Sequence, residues 1–265
     1  MSDSIGIIGQ GFVGTATLEG LRNHFQVFTY DKFHDDKSTS KNMLEVCSSA
    51  QIIFVCLPTP MRKDGSCDLS ILQDVVYEID NYNLNNIVVI KSTIPPGTTC
   101  EFNNNCKNVQ VIFNPEFLTE ANYIDDFKNQ TRIIIGGTGA KKVKQMFRKP
   151  FPNIPIVITR SSTAEMVKYF INCFLSTKVT FANQMYDLCE ASEIDYDKVC
   201  EYALLDSRIG GSHLAVPGPD SDRGYGGHCF PKDMSAMIYF GELFNSNAEF
   251  LKQVVKSNSI YRKNK

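Results

Sequence analysis

The sequence has no C-x-x-C pair, no apolar run as long as a bilayer span, no internal repeat and no low-complexity tract. Nor does either charge dominate: 27 Lys and Arg stand against 29 Asp and Glu, for a net charge of −2. Each absence removes a class of protein. Without a basic surplus there is no broad electrostatic grip on nucleic acid or on an anionic membrane. Without an apolar run of about 20 residues no transmembrane helix is expected. The start, Met1-Ser2-Asp3-Ser4, lacks a basic n-region, and the apolar stretch after it is short and broken by glycine. It does not read as a signal peptide, and the expected location is cytoplasmic. The nine cysteines are odd in number and not in metal-binding spacing, so neither a disulfide framework nor a metal site is expected. Most of them read as small buried apolar residues or neutral surface thiols.

What is present is a globular composition, 43% hydrophobic and 21% charged over 265 residues. That length suits one large domain or two modest ones, each able to bury a core. Apolar β-prone runs at 5–8, 26–30, 52–56, 87–91, 109–113, 132–135 and 156–158 alternate with helical spacing. Over 69–82, for example, Leu72, Val75, Val76 and Ile79 recur at i, i+3, i+4 and i+7. The alternation predicts an α/β fold with a doubly wound, mostly parallel, Rossmann-type sheet and right-handed crossovers. After 158 the pattern turns helical. One long helix is expected over 161–190, with others near 195–205, 232–244 and 248–262 and a Gly/Pro-rich stretch at 209–231. The expected organisation is an α/β domain over 1–158 and a smaller all-helical domain over 159–265. The basic tail from Arg262 reads as a frayed terminus.

Gly9-Gln10-Gly11-Phe12-Val13-Gly14 matches G-x-G-x-x-G, follows the first β-run and opens a helix. In that context the first Gly makes a tight turn and the second admits a pyrophosphate. The third lets helix and strand pack closely. Asp31 ends the second β-run, where a carboxylate accepts hydrogen bonds from ribose hydroxyls. No Arg follows it directly, which favours NAD over NADP, with Lys32 pulling the other way. Placement and Asp31 set this apart from a glycine turn with no ligand.

A second glycine cluster runs Gly224-Tyr225-Gly226-Gly227-His228-Cys229-Phe230-Pro231-Lys232-Asp233. Pro231 suits the first turn of a helix, which puts Cys229 just before a helix N-terminus. The dipole there favours a thiolate. Residue physics alone leaves open a reactive cysteine or a turn with an incidental thiol.

This segment resembles the active-site loop of the UDP-glucose/GDP-mannose dehydrogenase family. Other blocks agree in the family's order: Pro58-Thr59-Pro60, Lys91-Ser92-Thr93-Ile94-Pro95-Pro96-Gly97-Thr98 and Asn114-Pro115-Glu116-Phe117-Leu118-Thr119-Glu120. Glu165-Met166-Val167-Lys168-Tyr169-Phe170-Ile171-Asn172 and Asp206-Ser207-Arg208-Ile209-Gly210 follow. The resemblance covers nearly the whole chain. It implies oxidation of C6 of a nucleotide sugar, most simply UDP-glucose, from alcohol to carboxylate with two NAD+ and one water, and it associates the chain with polysaccharide biosynthesis.

By the same resemblance Cys229 is the nucleophile that forms a thiohemiacetal and then a thioester. Lys168 stabilises oxyanion charge and Asn172 donates a hydrogen bond, the two being four apart on one helix face. Asp233, with Thr93, holds or activates water. Glu116 is the general acid/base of thioester hydrolysis, for which burial would have to raise its pKa. Glu120 lies between substrate and cofactor. The cofactor set it implies is Gly9, Gly11, Phe12, Val13, Gly14, Asp31, Lys32, Thr59, Thr93 and Glu120. The substrate set is Glu116, Phe117, Leu118, Glu120, Lys168, Asn172, Arg208 and Gly226. Arg208 reaches the neighbouring site of a homodimer built on the long helix, whose apolar positions an intrachain core would explain equally well.

Three departures stand out. Position 184 is Gln where the family often has Glu, and the segment 211–223 is longer than in some members. The family's C-terminal nucleotide-binding domain is not in these 265 residues, so the chain reads as a short form. Two other functions stay in view. One is a non-catalytic NAD-binding or dimerisation module that completes or regulates a partner. The other is a two-electron β-hydroxyacid-type dehydrogenase, which shares the glycine turn and the Lys/Asn helix but needs no thiolate.

Overall fold

Each of the seven β-prone runs is a strand in the computed structural model, which describes residues 4–262. The expectation placed on the first three residues, and that on the basic tail beyond Arg262, lie outside the described residues. The strands are β1 (Ser4–Ile8), β2 (Gln26–Tyr30), β3 (Ile52–Val55), β4 (Ile87–Ile90), β5 (Gln110–Phe113), β6 (Ile133–Gly136) and β7 (Ile156–Thr159). They form one sheet in the order β2-β1-β3-β4-β5-β6-β7. Ile5 pairs with Ile52, Ile52 with Ile87 and Ile87 with Gln110, so four neighbouring strands run parallel in step. The exception to a parallel sheet is β5 against β6, antiparallel through the pair Phe113 and Gly136. The connection there holds the irregular segment after Asn114 and a six-residue helix that packs on another helix, not a full crossover helix.

Both faces of the sheet are covered, which is why β3 and β4 are buried at every residue. Successive side chains go to opposite sides. Phe54, Val89 and Ile135 join α1 (Phe12–Leu21), α5 (Tyr123–Lys128) and α6 (Ala140–Arg148) in one apolar cluster. Ile53, Val88 and Val111 join α2 (Met43–Ser49), α3 (Ser70–Asn81) and α4 (Thr98–Asn105) in the other. The helical spacing in α3 buries Leu72, Val76 and Ile79 fully. Each such side chain contributes roughly 1.5–3 kcal/mol.

The long helix α7 (Ser161–Ala191) is followed by α8 (Tyr196–Ala203), α9 (Phe230–Leu243) and α10 (Glu249–Tyr261). The chain divides into two compact units. One comprises the chain up to Pro60 and Cys67–Lys168, the other Met61–Ser66 and the chain from Tyr169 onward. The division therefore falls inside α7, later than the expected 158/159 boundary, and the short segment Met61–Ser66 joins the second unit. The first turns of α7 stay with the sheet for a physical reason. Ala164 is part of an apolar cluster of the sheet, and buried Glu165 accepts hydrogen bonds from the N–H groups of Gly97 (2.7 Å) and Thr99 (2.9 Å). Gly97 caps α4 but has no side chain, so Glu165 satisfies that helix end instead. The second unit has its own core of Cys173, Tyr225, Met234 and Val254. Among the described residues, no helix is long and apolar enough to cross a membrane.

Candidate active site

In a sheet of this order the strand order reverses between β1 and β3, and a crevice opens at their carboxyl ends. A cavity of about 720 Å³ lies there, lined by Gly9, Gly11, Phe12, Val13, Asp31 and Lys32 among others. The three glycines do different work. Gly9 has φ +90°, and a Cβ on it would meet the Cys56 carbonyl oxygen at 2.4 Å. A Cβ on Gly14 would lie 1.9 Å from the Gly9 oxygen, so only glycine lets the helix approach the turn. Gly11 caps α1 and faces open space, with no acidic side chain in the helix's first turn. That leaves a positive helix end open to an anion.

Asp31 fixes this turn. Its carboxylate accepts the N–H of Gln10 at 2.6 Å and that of Phe33 at 2.9 Å. Burial would raise its pKa, but those two N–H groups and nearby His34 hold it below the ordinary value. Asp31 is thus a fixed anion whose remaining lone pairs suit hydroxyl donors. The glycine cradle, the open helix end and this carboxylate together fit a dinucleotide. Of the other residues expected around it, Gly14, Thr59, Thr93 and Glu120 do not line the cavity. Thr59 is buried and donates to the Thr93 carbonyl at 2.8 Å, bridging the two loops that follow β3 and β4.

The first unit also buries an ionic cluster. Lys168 Nζ donates to Glu116 Oε1 at 2.9 Å and to its backbone oxygen at 2.8 Å. Both side chains are nearly buried, at 5% and 10% exposure. Burial pushes Glu116 up. It is outweighed by the Lys168 ammonium, the Leu118 N–H at 2.6 Å and Lys91, and the pKa ends below the ordinary value. These surroundings favour the ionised carboxylate, not the raised pKa that an acid/base role would call for. Lys91 is buried on the same cluster, its Nζ 2.9 Å from Asn114 Oδ1. Burial, with Lys168 nearby, lowers its pKa. Two lysines thus surround one carboxylate.

In the second unit Cys229 is the N-cap of α9 and is half-buried. Its carbonyl accepts the Asp233 N–H at 3.0 Å, the first bond of that helix. Pro231 sits in the first turn, where its missing N–H has no helix partner to lose. Asp233, on the next turn, is 1% exposed. It accepts an N–H from Asn172 at 2.5 Å and pairs with Lys232. Asn172 thus commits one N–H to Asp233 and keeps a second. A cavity of about 520 Å³ is lined by Gly226, Gly227, Pro231, Ser235 and Arg262 among others.

Two family models match this chain. The NAD binding domain of the UDP-glucose/GDP-mannose dehydrogenase family covers residues 34–151, and that family's central domain covers residues 162–260. The chain belongs to the UDP-glucose/GDP-mannose dehydrogenase family. A UDP-glucose 6-dehydrogenase of Rickettsia conorii is 36% identical over 225 residues, 79% of this chain and 49% of that protein. The UDP-glucose 6-dehydrogenase YwqF of Bacillus subtilis is 32% identical over 97% of this chain and 66% of its own length. A UDP-glucose dehydrogenase structure from Pyrobaculum islandicum superposes with a TM-score of 0.88 at 27% identity, over 98% of this chain and 68% of that one. The chain thus spans about half to two thirds of the relatives it matches.

The remaining residues expected from the family fall in varied surroundings. Phe117 lies between two cations, with Arg132 4.4 Å and Lys168 5.8 Å from its ring centre. Phe117 and Leu118 line a small cavity with Lys91 and Glu116. Glu120 is exposed in the turn before α5 and lines neither this cavity nor the glycine crevice. Arg208 is exposed and forks onto Asp206, with Nε 2.9 Å from Oδ1. Gln184 accepts a bond from the Tyr261 hydroxyl at 3.2 Å. Lys91, Asn114 and Glu165 were not singled out from sequence. All three lie inside the quoted family blocks, but only burial shows that they hold the cluster and the helix cap.

Proposed function

We propose that this chain oxidises C6 of a nucleotide sugar, most simply UDP-glucose to UDP-glucuronate, with two NAD+ per turnover and a Cys229 thioester. Cys229 at the N-cap of α9 is the observation that carries this reading, because a two-electron alcohol dehydrogenase has no use for a thiol so placed. Bound NAD+ would accept the hydride in each oxidation. The first removes a hydride from C6 and a proton from its hydroxyl, two electrons and two protons in all, to give an aldehyde. The Cys229 sulfur then adds to the aldehyde carbon, forming a C–S bond and a thiohemiacetal. The second oxidation converts that to a thioester. Water adds, the C–S bond breaks, and the acid leaves with the thiol regenerated.

The chain's own groups fit these steps. Lys168 supplies a fixed positive charge for oxyanions. Glu116, ionised, suits a base that takes a proton from water. Asn172 and Asp233 form a buried hydrogen-bonded pair that orients a second set of polar atoms. The test is NADH yield per UDP-glucose with excess NAD+. Two NADH per sugar are expected. One NADH would favour the β-hydroxyacid-type reaction, and NAD binding without turnover would favour a cofactor-binding module.

A homodimer belongs to the same proposal, with Arg208 reaching the neighbouring site. Phe170, Phe174, Phe181 and Leu188 share one face of α7 and are 70%, 59%, 59% and 52% exposed within this chain. An intrachain core does not cover them. Light scattering should give about twice the 29.8 kDa chain mass. Phe174→Lys combined with Phe181→Lys should return the monomer mass, and a wild-type monomer would count against the proposal.

A further inference from the structure

Within the second unit, the tripeptide that enters the cysteine loop is held from two helices. The Gly224 N–H donates to Asn183 Oδ1 on α7 at 3.2 Å. The Tyr225 N–H donates to Asn258 Oδ1 on α10 at 2.8 Å, and Asn258 Nδ2 donates back to the Tyr225 carbonyl at 3.0 Å. Asn258 therefore treats Tyr225 as a neighbouring strand would, satisfying both backbone groups. Arg223 adds to the clamp: its Nε reaches Asn183 Oδ1 at 3.1 Å and its Nη2 reaches Asp187 at 2.6 Å. Its guanidinium sits between the rings of Tyr186 and Tyr261, 5.1 and 4.9 Å from their centres. Asn183 and Asn258 are almost fully buried.

Downstream of this clamp the chain has Gly226 and Gly227, then His228 and Cys229. Gly227 has φ +72°, and Gly224, inside the clamp, has φ +69°. Glycines supply the turn but resist little. The loop's far end is tied by the Asp233 N–H to the Cys229 carbonyl and by Tyr225 packing edge-on against Phe230, centroids 6.2 Å apart. The near end is tied by the two asparagines. A buried backbone N–H or C=O left unsatisfied is destabilising enough to release such a loop.

We propose that Asn258 and Asn183 are positioning residues for Cys229: they fix the chain entering the glycine loop, and through it the place of the thiol. The proposal rests on Cys229 being the nucleophile. Misplacing a reacting group by about 1 Å costs on the order of a hundredfold in rate.

The test compares wild type with Asn258→Ala, Asn258→Asp and Asn183→Ala. Asn258→Asp keeps the acceptor for the Tyr225 N–H and loses the donor. Iodoacetamide labelling of each cysteine is followed by peptide mass spectrometry at pH 9.5. An ordinary thiol is about nine-tenths ionised there, so access decides the rate. Exposed Cys100 is the internal standard, and buried Cys173 and Cys189 report on opening of the second unit. The Cys229 to Cys100 labelling ratio should rise roughly fivefold or more in the variants, with Cys173 and Cys189 still protected. The kcat should fall about a hundredfold with the KM for NAD unchanged. A ratio within about twofold of wild type overturns the proposal, and so does labelling of Cys173 and Cys189 in step with Cys229, which marks general loosening. Full turnover by Cys229→Ser in the otherwise native chain would sink the nucleophile reading alone. The labelling ratio decides positioning in either case.

Discussion

Cys229→Ser is expected to abolish the second oxidation while leaving fold and cofactor binding in place. The change replaces one half-buried atom at a helix N-cap, and serine is itself a good cap. Stability should move by less than about 1 kcal/mol. The chemistry changes far more. At the N-terminus of α9 the helix dipole stabilises an anion, and a thiol near its working pH can become one. A serine hydroxyl stays neutral there, so the dipole has no charge to act on and attack on the aldehyde slows. Two-NADH turnover should fall on the order of a thousandfold, equivalent to about 4 kcal/mol of barrier. Cofactor binding, followed by fluorescence titration, should be unchanged, because the glycine crevice is lined entirely by residues of the first unit. Cys100→Ser is the matched control: that thiol is exposed on α4 and should alter neither yield nor rate. Wild-type yield and rate from Cys229→Ser would remove the thioester from the proposal.

Much of this was legible because local rules and tertiary demands agree. Strands buried on both faces, such as β3 and β4, read as unbroken apolar runs, and the alternation of β-prone and helical spacing made all seven strands visible. The glycine turn was legible because each glycine answers a steric need that no other residue meets. Cys229 at a helix start was legible from Pro231 two residues on. The polarity of β6 was not, since antiparallel pairing with β5 depends on how the chain after Asn114 folds. The end of the first unit was also hidden: nothing in the run of α7 marks Glu165 as the cap of a different helix. The sign of the Glu116 shift was hidden for a related reason. Sequence does not show whether Glu116 is buried, and burial alone would raise its pKa. Lys168, 52 residues away along the chain, reverses it together with the Leu118 N–H and Lys91.

That reversal makes Lys168→Met the most revealing substitution in the first unit. Methionine keeps the length and loses the charge, so Glu116 is left as a buried carboxylate with the Leu118 N–H and the more weakly acting Lys91. Breaking a buried pair from one side costs about 3–5 kcal/mol. The pH dependence should also change sign. In the wild type the folded pKa of Glu116 lies below its ordinary value near 4.5. Its stabilisation is therefore complete above about that pH and is lost as pH falls through the lower folded value. In Lys168→Met, burial dominates and the folded pKa moves above the unfolded one. The carboxyl then stabilises most when protonated, and stability drains away as pH rises through the raised value. Thermal unfolding at pH 7 and pH 5 reads this directly: the variant should gain ground on the wild type at pH 5. The double variant Lys168→Met/Glu116→Gln should recover most of the loss and show neither slope, because no buried charge is stranded. Parallel pH profiles for Lys168→Met and wild type would mean that the pair does not set the charge of Glu116. The ionised base assigned to it would then need another source.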